Sequence, residues 1–138
     1  MEGKNAVKSV IRVATDSAPE PAGHYCQATA WNDLIFVSGQ LATSADGEQN
    51  ADKPFETQVR QALGNILAIV REAGSDPEHV LRITAYIVGV ENWPVFNQVY
   101  AEIFGDIRPA RAVVPVPELH LGYSIELEAI AVRRPVQA

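Results

Sequence analysis

The last third of the chain contains arginine and glutamate residues, which are residue types that bind small organic acids and catalyse their reactions. Arg111 precedes the apolar run 112–116. A guanidinium that opens an apolar strand can bind a carboxylate through two parallel hydrogen bonds, or it can be a solvated strand end. Glu126 and Glu128 share one face of a strand, where paired carboxylates divide acid and base roles or face solvent. These residues alone leave the reaction open.

Other candidate groups lie in the first third. Tyr25 follows a loop, where functional side chains are frequent, but it is also an ordinary strand aromatic. Gly39, after Ser38, permits close approach of a ligand to the backbone, and a bulge or turn explains it equally well. The single Cys26 excludes an internal disulfide and a cysteine-cluster metal site. The three histidines lack metal-type spacing: His24, His79 and His120.

Length and charge narrow the class of protein. A chain of 138 residues with 47% hydrophobic and 20% charged residues predicts one globular domain over 1–138, with a loose tail at 1–8. The net charge of −6 and scattered basic residues argue against nucleic acid as the main partner. We expect no membrane span and, because no secretory signal is visible, a cytoplasmic protein.

The elements that must position these groups follow from periodicity and turn residues. Two helices are predicted, from Asp52 as N-cap to Ala73 and from about Trp93, after Asn92 as cap, to Phe104. Strands are predicted at 9–14, 25–31, 34–40, 80–90, 110–116 and 124–133. This order predicts an α+β fold with a six-stranded mixed sheet and both helices on one face.

The last strand carries apolar residues on both faces, which has a consequence for assembly. Ile125 and Leu127 point one way, whereas Ile130 and Val132 share the other face with the glutamates. Helices on one side leave the second face without cover. This favours packing of sheets between subunits of a homo-oligomer, although a loop could supply the cover instead.

Six sequence fragments in order resemble a known family. They are GHYCQA at 23–28, FVSGQ at 36–40, QALGNI at 61–66, FNQVY at 96–100, PAR at 109–111 and IELEAIAV at 125–132. Together they resemble the RidA (YjgF) family of reactive-intermediate deaminases, over residues 9 to 134. The resemblance implies a chorismate-mutase-like fold and a homotrimer whose sheets form a barrel, with active sites between subunits. It also implies hydrolysis of 2-enamino or 2-imino acids to 2-keto acids and ammonia, without metal or organic cofactor.

The resemblance also assigns roles to individual residues. Arg111 matches the arginine that clamps the substrate carboxylate, and Glu126 matches the glutamate that positions or activates the attacking water. The remaining matches line the substrate pocket: Tyr25, Ser38, Gly39 and Asn97. A protonated imine carbon is already electrophilic, so a fixed carboxylate and a placed water suffice for its hydrolysis.

Some positions depart from the family pattern and keep other functions open. Val113 stands where many members have a cysteine. His24 precedes the tyrosine where many members have proline, and Cys26 follows it where many have serine or valine. The stretch 118–123 is also unusual. His24 is expected at the mouth of the pocket. One alternative is a pathway-specific enamine deaminase of the aminoacrylate or aminomuconate type. Another is a chaperone-like trimer that binds small carboxylates, such as 2-keto acids, without turnover.

Overall fold

A computed structural model describes residues 9–134 of the protein. The tail predicted at 1–8 lies outside the described residues. Two helices occupy the middle of the chain, α1 at Phe55–Glu72 and α2 at Trp93–Phe104. The strands are β1 (Ile11–Val13), β2 (Ala28–Trp31), β3 (Leu34–Gln40), β4 (Val80–Val88), β5 (Ala110–Val116) and β6 (Ile125–Val132). The order of elements is the one predicted from the sequence.

The strands form one six-stranded mixed sheet in the order β1-β2-β3-β6-β4-β5. Only the β4–β5 pair is parallel among the described strand pairs. β2 and β3 form a hairpin through Asn32-Asp33, and Asn32 adopts a positive φ of 53° that asparagine tolerates in a tight turn. β6, the last strand in sequence, therefore lies in the middle of the sheet, between β3 and β4.

The two faces of the sheet have different surroundings. Ile125, Leu127, Ala129 and Ala131 of β6 are buried in the single core cluster, together with residues of α1 and α2. The opposite face, which we call the open face, carries apolar side chains that remain exposed or half-buried. Its apolar members on the central strands are Leu34, Phe36, Tyr86, Ile130 and Val132. The predicted two-sided apolar character of β6 is thus present in the fold.

Some predicted boundaries are wrong. α1 begins at Phe55 after Pro54, not after an Asp52 cap, because Pro54 fixes the extended backbone from which the first turn starts. β2 begins at Ala28, since Tyr25 lies in a bend, and β4 ends at Val88 because Gly89 turns the chain with a φ of 88°. Among residues 9–134, no helix has the length and apolarity that crossing a membrane requires.

The phenol of Tyr123 ties the segment before β6 to the loop after β3. Tyr123 is buried, and its hydroxyl donates to Gln49 Oε1 at 3.1 Å and accepts the backbone N–H of Asn50 at 3.0 Å. Thr43 Oγ1 lies 2.9 Å from the same oxygen. A buried hydroxyl with three partners holds two loops in one arrangement, because losing it leaves each partner unsatisfied.

We expect Tyr123→Phe to lower the free energy of unfolding by about 1–3 kcal/mol, since the backbone N–H of Asn50 loses its acceptor. Urea denaturation measures the change. Thr43→Val and the double variant complete a mutant cycle in which the two losses are non-additive. Full additivity, or no loss in Tyr123→Phe, would contradict this role of the hydroxyl.

Candidate functional site

A cavity of about 430 Å³ lies at the end of the sheet where β3 finishes and β6 begins. Its walls come from the loop that precedes β2, the end of β3, the loop that follows it and the segment 120–121. Four of the six residues predicted for the site line this cavity: Tyr25, Ser38, Gly39 and Glu126. The fold therefore brings together side chains that are separated by about a hundred positions in the sequence.

A β-bulge places Glu126 at the cavity. Val37 pairs with Ala129 and Gln40 pairs with Leu127, so Ser38 and Gly39 together oppose one residue of β6. Such a bulge bends the strand and redirects its side chains. A Cβ added at Gly39 would lie 2.7 Å from Glu126 Oε2. A side chain at position 39 would therefore displace the Glu126 carboxylate from the place that it now occupies.

The environment of Glu126 favours its protonated form. Burial raises the pKa of this carboxyl group above its ordinary value, and the nearby charge of Glu128 raises it further, whereas His120 acts in the opposite direction. Burial removes water that would solvate the charge, and a like charge adds repulsion. A carboxylate with a raised pKa is a stronger base than an ordinary glutamate, which suits proton transfer from water.

The side chains of Gln27, which is buried, and Ser38, which is half-buried, hold the loop that precedes β2. Gln27 Nε2 donates to the carbonyl oxygens of Thr15 at 3.1 Å and Pro19 at 2.9 Å, while its Oε1 accepts the N–H of Thr15 at 2.7 Å. Ser38 Oγ donates to the carbonyl oxygen of Cys26 at 2.7 Å. The loop that carries Tyr25 is therefore tied to β3. The Ser38 hydroxyl donates its proton to this hydrogen bond, so its oxygen lone pairs remain available to accept hydrogen bonds in the cavity.

Sequence reasoning missed several residues that line the cavity. His120, Leu121, Thr43 and Gln49 all contribute to its walls. His120 was considered only for metal spacing, and residues 9–134 contain no group of three or more His, Cys, Asp or Glu side chains that could hold a metal ion. The signal that pointed to His120 and Leu121 was the unusual stretch 118–123, which the fold places beside Glu126.

Arg111 lies elsewhere, against α2. Its guanidinium carbon is 5.0 Å from the ring centroid of Tyr100 and 5.5 Å from that of Phe96. Both rings are buried, so the guanidinium stacks on a fixed apolar surface while the residue itself remains exposed. Asn97 is exposed and precedes Tyr100 by three positions on the same helix, which places the two on neighbouring parts of its surface.

Within one chain, Arg111 and Glu126 cannot reach the same small molecule. Arg111 pairs with Ile83 of β4, whose side chain is buried on the helix side, whereas Glu126 pairs with Tyr86 on the open face. Side chains three positions apart on a strand point to opposite faces and are about 10 Å apart along it. The structure thus separates the predicted site into two parts, the cavity around Glu126 and the edge with Arg111 and Asn97.

The remaining expected positions lie outside the cavity. His24 is exposed and is not among the residues that line the cavity of one chain, so its expected place at the pocket mouth stays a prediction. Cys26 is half-buried, and only its carbonyl oxygen takes part through Ser38. Val113 packs against the core beside Ala85, its partner on β4.

Comparison with known proteins identifies the family. Residues 15–133 match the protein family described as Endoribonuclease L-PSP, which is the YjgF/RidA family. The chain belongs to the RidA (YjgF) family. A RutC family protein of Pyrococcus abyssi is 35% identical over 119 residues, which cover 86% of this chain and 94% of the relative. The resemblance inferred from the six fragments is therefore confirmed.

Two further RidA relatives bear on fold and activity. A rat protein named 2-iminobutanoate/2-iminopropanoate deaminase is 34% identical over 131 residues, 94% of this chain and 96% of the relative. The crystal structure of the YjgF gene product of E. coli superposes with a TM-score of 0.84 at 33% identity, covering 90% of this chain and 99% of the other. The names within the family differ, so membership alone does not assign the reaction.

The raised pKa of Glu126 is directly measurable. In a ¹³C NMR titration of the glutamate carboxyl groups, the signal of Glu126 is assigned by its absence from Glu126→Gln. We expect the titration midpoint of Glu126 to lie above the ordinary 4.5. Glu128→Gln lowers this midpoint because a like charge is removed, and His120→Gln raises it because a positive charge is removed. A midpoint at or below 4.5 that neither variant moves would contradict this account of the environment.

Proposed function

We propose that this RidA protein hydrolyses 2-imino and 2-enamino acids to 2-keto acids and ammonia, in a site completed by a second copy of the chain. The observation that carries the proposal is the cavity that joins Glu126, a carboxyl group of raised pKa, to Tyr25, Ser38 and Gly39. The name of the rat relative, an iminobutanoate and iminopropanoate deaminase, supports the same reaction class.

The reaction needs few groups, and the chain supplies them. The carboxylate of Glu126 accepts a proton from water, and the resulting hydroxide adds to the electrophilic carbon of the protonated imine. Arg111 binds the carboxylate of the substrate through paired charge-assisted hydrogen bonds and so fixes the distance between carbon and water. The stack on Tyr100 and Phe96 holds the guanidinium in place before the substrate arrives.

A second copy explains how these groups meet. The open face exposes apolar side chains on neighbouring strands, among them Leu34 and Phe36, which a partner sheet would bury. A neighbouring subunit would then present its Arg111 and Asn97 to the cavity that contains Glu126. We propose a homotrimer with a chorismate-mutase-like barrel of sheets, as the resemblance implies. The cytoplasmic location stays a prediction from the sequence.

The test is imine hydrolysis in a coupled assay. An amino-acid oxidase generates 2-imino acids in the presence of semicarbazide, and the enzyme lowers the rate of semicarbazone formation. We expect Arg111→Ala to reduce kcat/KM on the order of 100-fold, because a bidentate contact to the substrate carboxylate is lost. Arg111→Lys keeps the charge and recovers part of the activity. Arg71→Ala, an exposed arginine of α1, is the matched control and stays at the wild-type rate.

The pH profile adds a second readout. Because burial raises the pKa of Glu126, kcat falls on acidification at a higher pH than an ordinary glutamate would give. A folded wild-type protein without activity on any imine would refute the proposal. Stabilisation of that inactive protein by 2-keto acids would then favour carboxylate binding without turnover, and activity on a single enamine would favour a pathway-specific deaminase.

A further inference from the structure

The segment between β5 and β6 contains an unusual turn beside the cavity. Leu121 has a φ of 61°, in the left-handed region that costs energy for a side chain with a Cβ, and Gly122 follows with a φ of 79°. The N–H of Tyr123 donates to the carbonyl oxygen of His120 at 3.3 Å, and the buried Tyr123 phenol anchors the turn. The strained turn directs both His120 and Leu121 to the cavity wall.

His120 lines the same cavity as Glu126 and is the one histidine among its lining residues. The other titratable groups that line it are Glu20 and Tyr25, while Glu118 lies on the same segment and Glu128 follows on β6. The positive charge of His120 acts on the Glu126 carboxyl group and opposes the rise in its pKa. Because both side chains line one cavity, they can act on the same bound molecule.

Imine hydrolysis requires a proton donor as well as a base. After hydroxide adds, the amine nitrogen must gain a proton before the C–N bond can break. Arginine does not release its proton, a phenol is a weak acid at neutral pH, and the proton that Glu126 takes from water leaves with the ammonia as ammonium. Imidazolium is the side-chain acid that exchanges protons near neutral pH.

We propose that His120 is the proton donor to the leaving nitrogen, a role that rests on the proposed function. Glu126 takes one proton from water as the new C–O bond forms, which gives a neutral carbinolamine. His120 then protonates the nitrogen, and the C–N bond breaks while the hydroxyl proton returns to His120. Ammonia leaves with the proton held by Glu126, as ammonium. Both side chains end in their starting forms, with no net oxidation or reduction.

Leu121 adds apolar surface to the same cavity. Its side chain is exposed and lines the cavity together with Leu41 and Pro21.

The test compares His120→Gln and His120→Ala with His79→Gln, a histidine that is hydrogen-bonded to Asp76 and does not line the cavity. We expect kcat to fall at least about 10-fold in both His120 variants, with KM changed by less than about 2-fold. In both variants the alkaline decline of kcat, which loss of the donated proton produces in the wild type, disappears. Added imidazole restores part of the kcat of His120→Ala, and His79→Gln behaves like the wild type.

The possible failures are distinguishable. An active wild type with unaltered kcat in His120→Gln would overturn this role and leave the deaminase intact. A second failure is a slow His120→Gln variant that keeps the alkaline decline of kcat, together with a His120→Ala variant that imidazole does not rescue. That result would show a structural role for His120 and overturn the proposal. A wild type without activity, from folded protein, would overturn both the deaminase and this role.

Discussion

The alternation of side chains across a pleated sheet determines which face of this protein each candidate functional group occupies. It sends Arg111 toward α2 and Glu126 toward the open face, although only β4 separates their strands. In the proposed reaction, each chain therefore holds two halves of a carboxylate site. The same alternation leaves Leu34 and Phe36 exposed on the open face. The proposed assembly and the proposed chemistry thus both depend on the register of the central strands.

The local chemistry of the Glu126 half depends on two departures from regular structure. Gly39 leaves space for the carboxylate at the bulge, and Leu121 has a left-handed backbone next to His120, which lines the same cavity as Glu126. Hydrogen bonds support both departures, from Ser38 to the Cys26 carbonyl and through the Tyr123 phenol. Irregular backbone of this kind persists where the surrounding structure determines it more strongly than local preference does.

The sequence predicted the elements well, and the site in part, for physical reasons. Periodicity located α1 and α2, and β-branched runs located the strands, because both patterns report burial on one face. Asp52 failed as a cap because Pro54 sets the start of α1, and Tyr25 failed as a strand residue because strand propensity does not register the preceding loop. His120 was missed because its place in the cavity depends on how the segment 118–123 packs against the end of β3, which the unusual sequence of that segment marks but does not specify.

The most direct test of the shared site is complementation between two inactive variants. Arg111→Ala and Glu126→Gln chains, differently tagged and co-expressed, are isolated as mixed oligomers and assayed for imine hydrolysis beside each variant alone. If each site takes Arg111 from one copy and Glu126 from another, one of the three sites in every mixed trimer is intact, so the mixed oligomers regain about a third of the sites. We predict that recovery, together with inactivity of each variant alone. Mixed oligomers as inactive as their parents, while the co-expressed wild type is active, would contradict a site formed between copies.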